Sequence, residues 1–226
     1  MQKTILDLVI EKKAAADKAI EFIESGMIVG LGTGSTVKFF IESLAEKVRD
    51  CFIIKTVSTS NATGAMLESL GIEVVELNAV EKIDVTIDGA DEVDSQLNGI
   101  KGGGGALTRE KVLAGAARRF VCIVDDAKLV GMLGEFPLPI EVLPMAQAFV
   151  SRKLLIMRAQ PVWREGFVTD NGNHIIDVRD LAIGNPLEME ARLNQIPGIV
   201  TVGIFAHRAA DVLLIGDDNG VREMRA

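Results

Sequence analysis

The chain alternates between two hydrophobic periodicities. From 4 to 24, apolar residues recur at helical spacing (Ile5, Leu8, Val9, Ala16, Ala19, Ile20, Ile23), and Ser25-Gly26 closes the segment. The apolar run MIVGLG (27–32) predicts a strand, and STVKFFIESLAEKV (35–48) a second amphipathic helix. The alternation continues through strand FIIKTV (52–57), polar turn STSNAT, helix ATGAMLESL closed by Gly71, and strands IEVVEL and IDVTID. A long loop leads to helix TREKVLAGAA (108–117) and strand RFVCIVD (119–125). Strands separated by helices of about 10–15 residues predict βα units: an α/β, Rossmann-like, mostly parallel sheet with helices on both faces. Ligands of such sheets bind outside the carboxyl ends of the strands. The loops after VGLG, KTV, VTID and CIVD are therefore expected to share one rim.

Near 131 the pattern changes. PLPIEVLP holds Pro137, Pro139 and Pro144, which suit an edge strand better than a central one. A helix (145–157), a strand pair around DNGN (170–173), a helix opened by Pro186 and the strand GIVTVGIF (198–205) follow. The order β-α-β-β-α-β predicts a smaller ferredoxin-like α+β domain. The apolar strand ADVLLIGD (210–217) is expected to rejoin the first sheet. The predicted domains are thus 1–130 with 207–226, and an inserted 131–206.

Composition narrows the partners. Of 226 residues, 48% are hydrophobic and 25% charged, an ordinary globular balance, and the net charge is −8. A chain this acidic has no general attraction for nucleic acid or acidic membranes, so an anionic ligand needs a local positive site. No apolar run approaches the ~18 residues of a membrane span and the N-terminal segment lacks a signal-peptide core, so a cytoplasmic location is expected. Cys51 and Cys122 lie in apolar runs and read as buried, reduced thiols. Two His and two scattered Cys make no zinc pattern, and EKKAAADK reads as a solvated helix face.

Three loops carry candidate chemistry. GLGTGST (30–36) joins a strand to a helix. Its glycines can turn backbone amides inward, and the helix N-terminus adds positive potential, which suits phosphate. It lacks the third glycine of a dinucleotide fingerprint and the Gly-Lys of a Walker A loop, so a small phosphorylated ligand fits better than NAD or ATP. DGADEVD (88–94) crowds Asp88, Asp91, Glu92 and Asp94, an arrangement that can raise carboxyl pKa values for proton transfer. An Asx turn explains one or two of these acids. KGGGGALTREK (101–111) combines four bare backbone amides with Lys101 and, with Thr108 as a cap, Glu110 in the first turn of a helix. An acid there also complements the helix dipole, by ~0.3–1 kcal/mol. A sugar-phosphate enzyme of another kind, a non-catalytic sensor, and an aldolase with Lys101 as Schiff-base lysine stand as alternatives.

GTGST, DGADEVD and KGGGGALTREK, in that order, resemble the signature loops of ribose-5-phosphate isomerase type A. PLPIEVLPMA, VTDNGNHIIDV and LNQIPGIVTVGIFA resemble its small-domain segments, so the similarity spans essentially the whole chain. The resemblance implies interconversion of ribose 5-phosphate and ribulose 5-phosphate in the pentose phosphate pathway, without cofactor or metal. It implies Glu110 as general base, with Asp88, Asp91 and Lys101 as further catalytic residues. It implies substrate contacts from Thr33, Gly34, Ser35 and Thr36, from Asp88, Gly89, Ala90 and Asp91, from Lys101, Gly102, Gly103 and Gly104, and from Lys128. Lys12 is a weaker carry-over near the phosphate. Ala127 stands where the family pattern has a hydroxyl. A homodimer or homotetramer is also implied. The expected reaction opens the ring with Asp88, moves the C2 proton through Glu110, and stabilises a cis-enediolate with Lys101 and the glycine amides.

Overall fold

The computed structural model describes residues 3–226. In chain order the elements are α1 (Ile5–Ala19), β1 (Ile28–Leu31), α2 (Ser35–Arg49), β2 (Lys55–Ser58), α3 (Asn61–Ser69), β3 (Val85–Asp88), β4 (Glu92–Val93), β5 (Gly99–Ile100), α4 (Leu107–Ala116) and β6 (Phe120–Asp125). There follow β7 (Leu138–Val142), α5 (Gln147–Ile156), β8 (Gln160–Trp163), β9 (His174–Arg179), α6 (Pro186–Asn194), β10 (Ile199–Val202), β11 (Ile204–Phe205), β12 (Val212–Asp217) and β13 (Gly220–Arg225). They form two compact units. The first runs to Gly89 and adds Val112–Leu129 and Ala210–Ala226; the second is Ala90–Lys111 and Val130–Ala209. Helix α4 begins in the second unit and ends in the first.

The first unit is a six-stranded sheet ordered β13-β12-β6-β3-β1-β2, parallel except for β13. Chain order reverses between β1 and β3, which makes their carboxyl ends the topological switch point of the sheet. One face carries α1 and α2 over Val29, Leu31, Ile87, Val121, Ile123 and Leu214. On the other, Leu113 and Ala117 pack with Val57 and Ile83. The second unit has an antiparallel sheet ordered β10-β7-β9-β8, the ferredoxin-like order, with Ile140, Val142, Val150, Leu154, Ile176 and Leu193 in its core. A small sheet, β11-β5-β4, completes it.

Several expectations change. Residues 90–111 group with the second unit, because β4 and β5 pair with β11; the sequence reading kept 1–130 together. IEVVEL is not a strand: it contributes one bridge, Thr56 to Val74, before a 3-10 turn at Leu77–Ala79. The Pro-rich β7 is interior, between β10 and β9. Pro139 is tolerated because its carbonyl accepts from Gly203 N (2.8 Å), just past the end of β10, so its missing N–H faces the same strand margin. GIVTVGIF divides at Gly203, where the chain leaves one sheet for another. Cys122 is buried, but Cys51 is exposed in a turn with φ 66. The EKKAAADK stretch (11–18) is not simply solvated: Glu11, Ala15 and Ala16 are buried, as is Ala19 after it, while Ile5, Leu6 and Ile10 before it are exposed. Small alanines let α1 approach the sheet closely, and a Cβ on Gly216 would meet Glu11 O at 2.0 Å. No helix among the described residues is long and apolar enough to cross a membrane.

Candidate active site

In the first unit, the site residues gather at the switch point. β1 ends at Leu31, and Gly32 N donates to Ile87 O of β3 (3.0 Å). A Cβ on Gly32 would lie 1.8 Å from Asp88 Oδ1, so only glycine lets the loop pass this carboxylate. Asp88 is buried at the end of β3 and accepts from Gly89 N (2.8 Å). Gly34, with φ 149, precedes α2, whose first turn is Ser35, Thr36 and Val37. The Thr33 hydroxyl sits within 2.8 Å of those of Thr59 and Ser60 and 3.1 Å from that of Thr63. Thr63 Oγ1 also donates to Gly32 O (3.1 Å), and Ser60 caps α3. This is a knot of neutral hydroxyls at the start of two helices. Lys12 Nζ donates to Ser35 Oγ (3.2 Å) and lies 3.9 Å from the buried Asp125 carboxylate. Lys128 is half-buried in the 3-10 turn after β6. Thr59, Ser60 and Thr63 were not among the expected site residues; the hydroxyl-rich STSNAT carries that signal.

In the second unit, the glycine run wraps around charge. Lys101 Nζ lies 3.4 Å from Glu110 Oε2, and both side chains are almost wholly buried, at 3% and 4% exposure. Lys101 is held by its backbone, which donates to Gly203 O (2.9 Å), and by the Phe205 ring, 5.4 Å from its ammonium. A Cβ on Gly203 would strike Lys101 O at 2.4 Å. Gly102 (φ 101) and Gly105 (φ 79) adopt left-handed backbone, and Gly105 N donates to Gly102 O (2.8 Å), a turn that leads into α4. Asp91 Oδ2 accepts from Gly103 N (2.8 Å), and a Cβ at Gly103 would meet that carboxylate at 2.5 Å.

Arg164 fixes the other side of the run. It grips Asp177 with Nε (2.8 Å) and a terminal nitrogen, and donates to Gly103 O (3.0 Å) and Gly102 O (3.4 Å). In a trans peptide the carbonyl and the next amide point opposite ways. The Gly102 carbonyl turned to Arg164 therefore sends the Gly103 N–H to Asp91, and the Gly103 carbonyl sends the Gly104 N–H away from Arg164. Gly104 is an exposed residue. Arg164 was not singled out in the sequence, where it is one arginine of many.

The acidic cluster expected at 88–94 is not one cluster. Glu92 accepts from Gly134 N (2.7 Å) and Phe136 N (2.5 Å), and Asp94 accepts from Gln96 N (2.8 Å) and Asn98 N (3.0 Å) in an Asx turn. Glu92 thus serves backbone more than 40 residues away, and Asp94 serves its own turn, where Oδ2 also accepts from Asn98 Nδ2 (2.9 Å). Thr108 is not the helix cap either: α4 starts at Leu107, Glu110 N donates to Ala106 O (3.0 Å), and the Thr108 hydroxyl donates to Glu141. Next along the helix, burial pushes the Lys111 ammonium below the ordinary lysine value, against the pull of its partner Glu190. Among the described residues, no group of three or more His, Cys, Asp or Glu stands at metal-holding spacing.

Residues 55–220 match the family model described as Ribose 5-phosphate isomerase A (phosphoriboisomerase A). Solved structures agree over nearly the full length. Ribose 5 phosphate isomerase A from Neisseria gonorrhoeae is 47% identical at a TM-score of 0.93, covering 96% of this chain and 97% of its own. A D-ribose-5-phosphate isomerase in complex with phospho-erythronic acid is 43% identical (TM-score 0.93; 96% and 98% covered). Ribose 5-phosphate isomerase A from Methanocaldococcus jannaschii is 39% identical (TM-score 0.91; 96% and 98% covered). With this fold, these loops and this likeness, the chain belongs to the ribose 5-phosphate isomerase A family of aldose–ketose isomerases.

Proposed function

We propose that this enzyme interconverts ribose 5-phosphate and ribulose 5-phosphate by proton transfer, with Glu110 as the base. The observation that carries the reading is the buried Lys101–Glu110 pair at 3.4 Å beside a glycine run. A buried ion pair is a poor device for stability, since desolvation offsets most of its attraction. As a device for moving a proton it is well suited. When Glu110 takes the C2 proton it becomes neutral, and the negative charge passes to O1 of the substrate as a cis-enediolate. Lys101 is then the counter-ion of the new anion, so the buried site holds the same net charge before and after the step. The Gly104 amide, turned outward by the Arg164 clamp, supplies a further donor for that oxygen. Glu110 returns the proton at C1 to give the ketose. Asp91 keeps the run in shape through Gly103 and supplies a carboxylate to the sugar hydroxyls.

The neutral donors of Thr33, Gly34, Ser35 and Thr36, with Lys12 and Lys128, are assigned to holding the phosphorylated sugar, and Asp88 to the hydroxyl proton moved in ring opening. The phosphorylated sugar acid bound by one relative is a ligand of the kind such a site would take. The enzyme is further proposed to act in the cytoplasm as a homodimer or homotetramer. Exposed Met145, Ile156 and Leu155 on the second unit offer apolar surface for self-association, which light scattering would read as a molar mass. The test of the chemistry follows the label from ribose 5-phosphate deuterated at C2 in EDTA-treated enzyme. Deuterium found partly at C1 and partly in solvent supports a base-mediated enediolate. Complete retention at C1 means a hydride shift and overturns it.

A further inference from the structure

The lone charge of the Pro-rich strand β7, Glu141, has no place in the reaction as described. It is 0% exposed, and no basic side chain bonds to it among the described contacts. Instead, neutral donors converge on its carboxylate. Thr169 Oγ1 (2.9 Å), Asn171 Nδ2 (3.1 Å) and Asn173 Nδ2 (2.8 Å) donate to Oε1, and Thr108 Oγ1 (2.5 Å) donates to Oε2. Three sequence segments that looked unrelated thus meet at one residue: PLPIEVLP supplies the acceptor, VTDNGNH three donors, and ALTREK the fourth. The 169–173 turn is itself rigid. Thr169 N donates to Asn173 O (2.9 Å), Gly172 N to Thr169 O (2.8 Å), and Asn171 N and Asn173 N to the Thr169 hydroxyl. Arg109 ties the same helical turn to it a second time, through Asn171 Oδ1 (2.9 Å) and Asp170 O (3.1 Å).

We infer that Glu141 is a positioning residue for Glu110: with Thr108 and the 169–173 turn, it locks the first turn of α4 and so fixes where the base stands against its substrate. A buried carboxylate is expensive unless several donors satisfy it. Four neutral donors do so here. Of the four, only Thr108 lies on the helix of the base, two residues before Glu110. A base misplaced by about 1 Å can cost on the order of 10²-fold in rate, so a tie of this kind acts on turnover more than on binding.

The inference rests on the reading of Glu110 as base, and the experiment separates the two. Thr108→Val removes the hydroxyl at nearly constant shape and leaves Glu141 three donors; Thr108→Ser restores the hydroxyl. kcat, KM for ribose 5-phosphate and Tm are measured for both, beside Glu110→Gln. The expected result is a fall in kcat of roughly tenfold for Thr108→Val, with KM within about twofold and recovery in Thr108→Ser. Wild-type kcat in Thr108→Val overturns the inference. So does a loss of kcat, KM and Tm together that serine does not rescue, since that marks a purely structural residue. If Glu110→Gln keeps wild-type turnover, the base itself is misassigned, whatever Thr108 does.

Discussion

The two units carry loops of opposite chemistry. The loop after β1 is built of neutral donors: the Thr33 hydroxyl among those of Thr59, Ser60 and Thr63, and the opening amides of α2. Such groups hold an anion without titrating. The glycine run is built around a buried ammonium and carboxylate 3.4 Å apart. Glycine also has a different task in each place. Gly32 makes room for the Asp88 carboxylate, while Gly102 and Gly105 are needed for left-handed backbone. On the function proposed above, the Thr33 loop holds charge in place and the glycine run moves it. Substitutions in the first should act on KM, and substitutions in the second on kcat.

The largest effect after loss of the base should come from Lys101→Met. It removes the ammonium beside Glu110 and the proposed counter-ion of the enediolate, and kcat should fall about 10²–10³-fold. An equal fall for a substitution in the Thr33 loop would erase the contrast. Gly103→Val should come next. Its Cβ meets Asp91 at 2.5 Å, so the run must shift, and kcat should drop on the order of 10²-fold while the fold, read by circular dichroism, persists. Thr33→Val sharpens the comparison from the other side: KM should rise about tenfold, the worth of roughly 1.4 kcal/mol of neutral hydrogen bonding, with kcat within about twofold.

The smallest effect is one of stability. Asp84 accepts from Ile28 N (2.9 Å) at the foot of β1, and this bond holds its carboxyl below the ordinary value, with Lys82 adding to the shift. A depressed carboxyl stabilises above its unfolded pKa and loses that stability as pH falls through the folded value. Asp84→Asn should therefore unfold more easily at pH 7, by about 1 kcal/mol in urea, and the gap to wild type should close below about pH 4. A gap that stays constant to pH 3 would mean that the charge of Asp84 does no work.

Local pattern carried much of this. The βα alternation, the β-α-β-β-α-β order and the helix that carries Glu110 were legible because period, turn residues and motif spacing are local properties. What failed was non-local. Pro139 reads as an edge residue until Gly203 shows that its missing donor falls at the margin of β10. Glu92 and Asp94 read as chemistry until their backbone partners appear. The hairpin β12–β13, with Gly220 at φ 123 and Asn219 before it, carries the same Asn-Gly signal that was read only at 171–172. Glu141 is the extreme case, a buried charge whose meaning lies in donors 28 to 33 residues away.

The most direct test of the central claim is the turnover and substrate affinity of Glu110→Gln, measured after EDTA treatment beside the wild type. If Glu110 moves the proton, kcat falls about 10²–10⁴-fold while ribose 5-phosphate still binds within about threefold of the wild type. Turnover near the wild-type rate would show that another group is the base, and the buried pair would lose its assigned role.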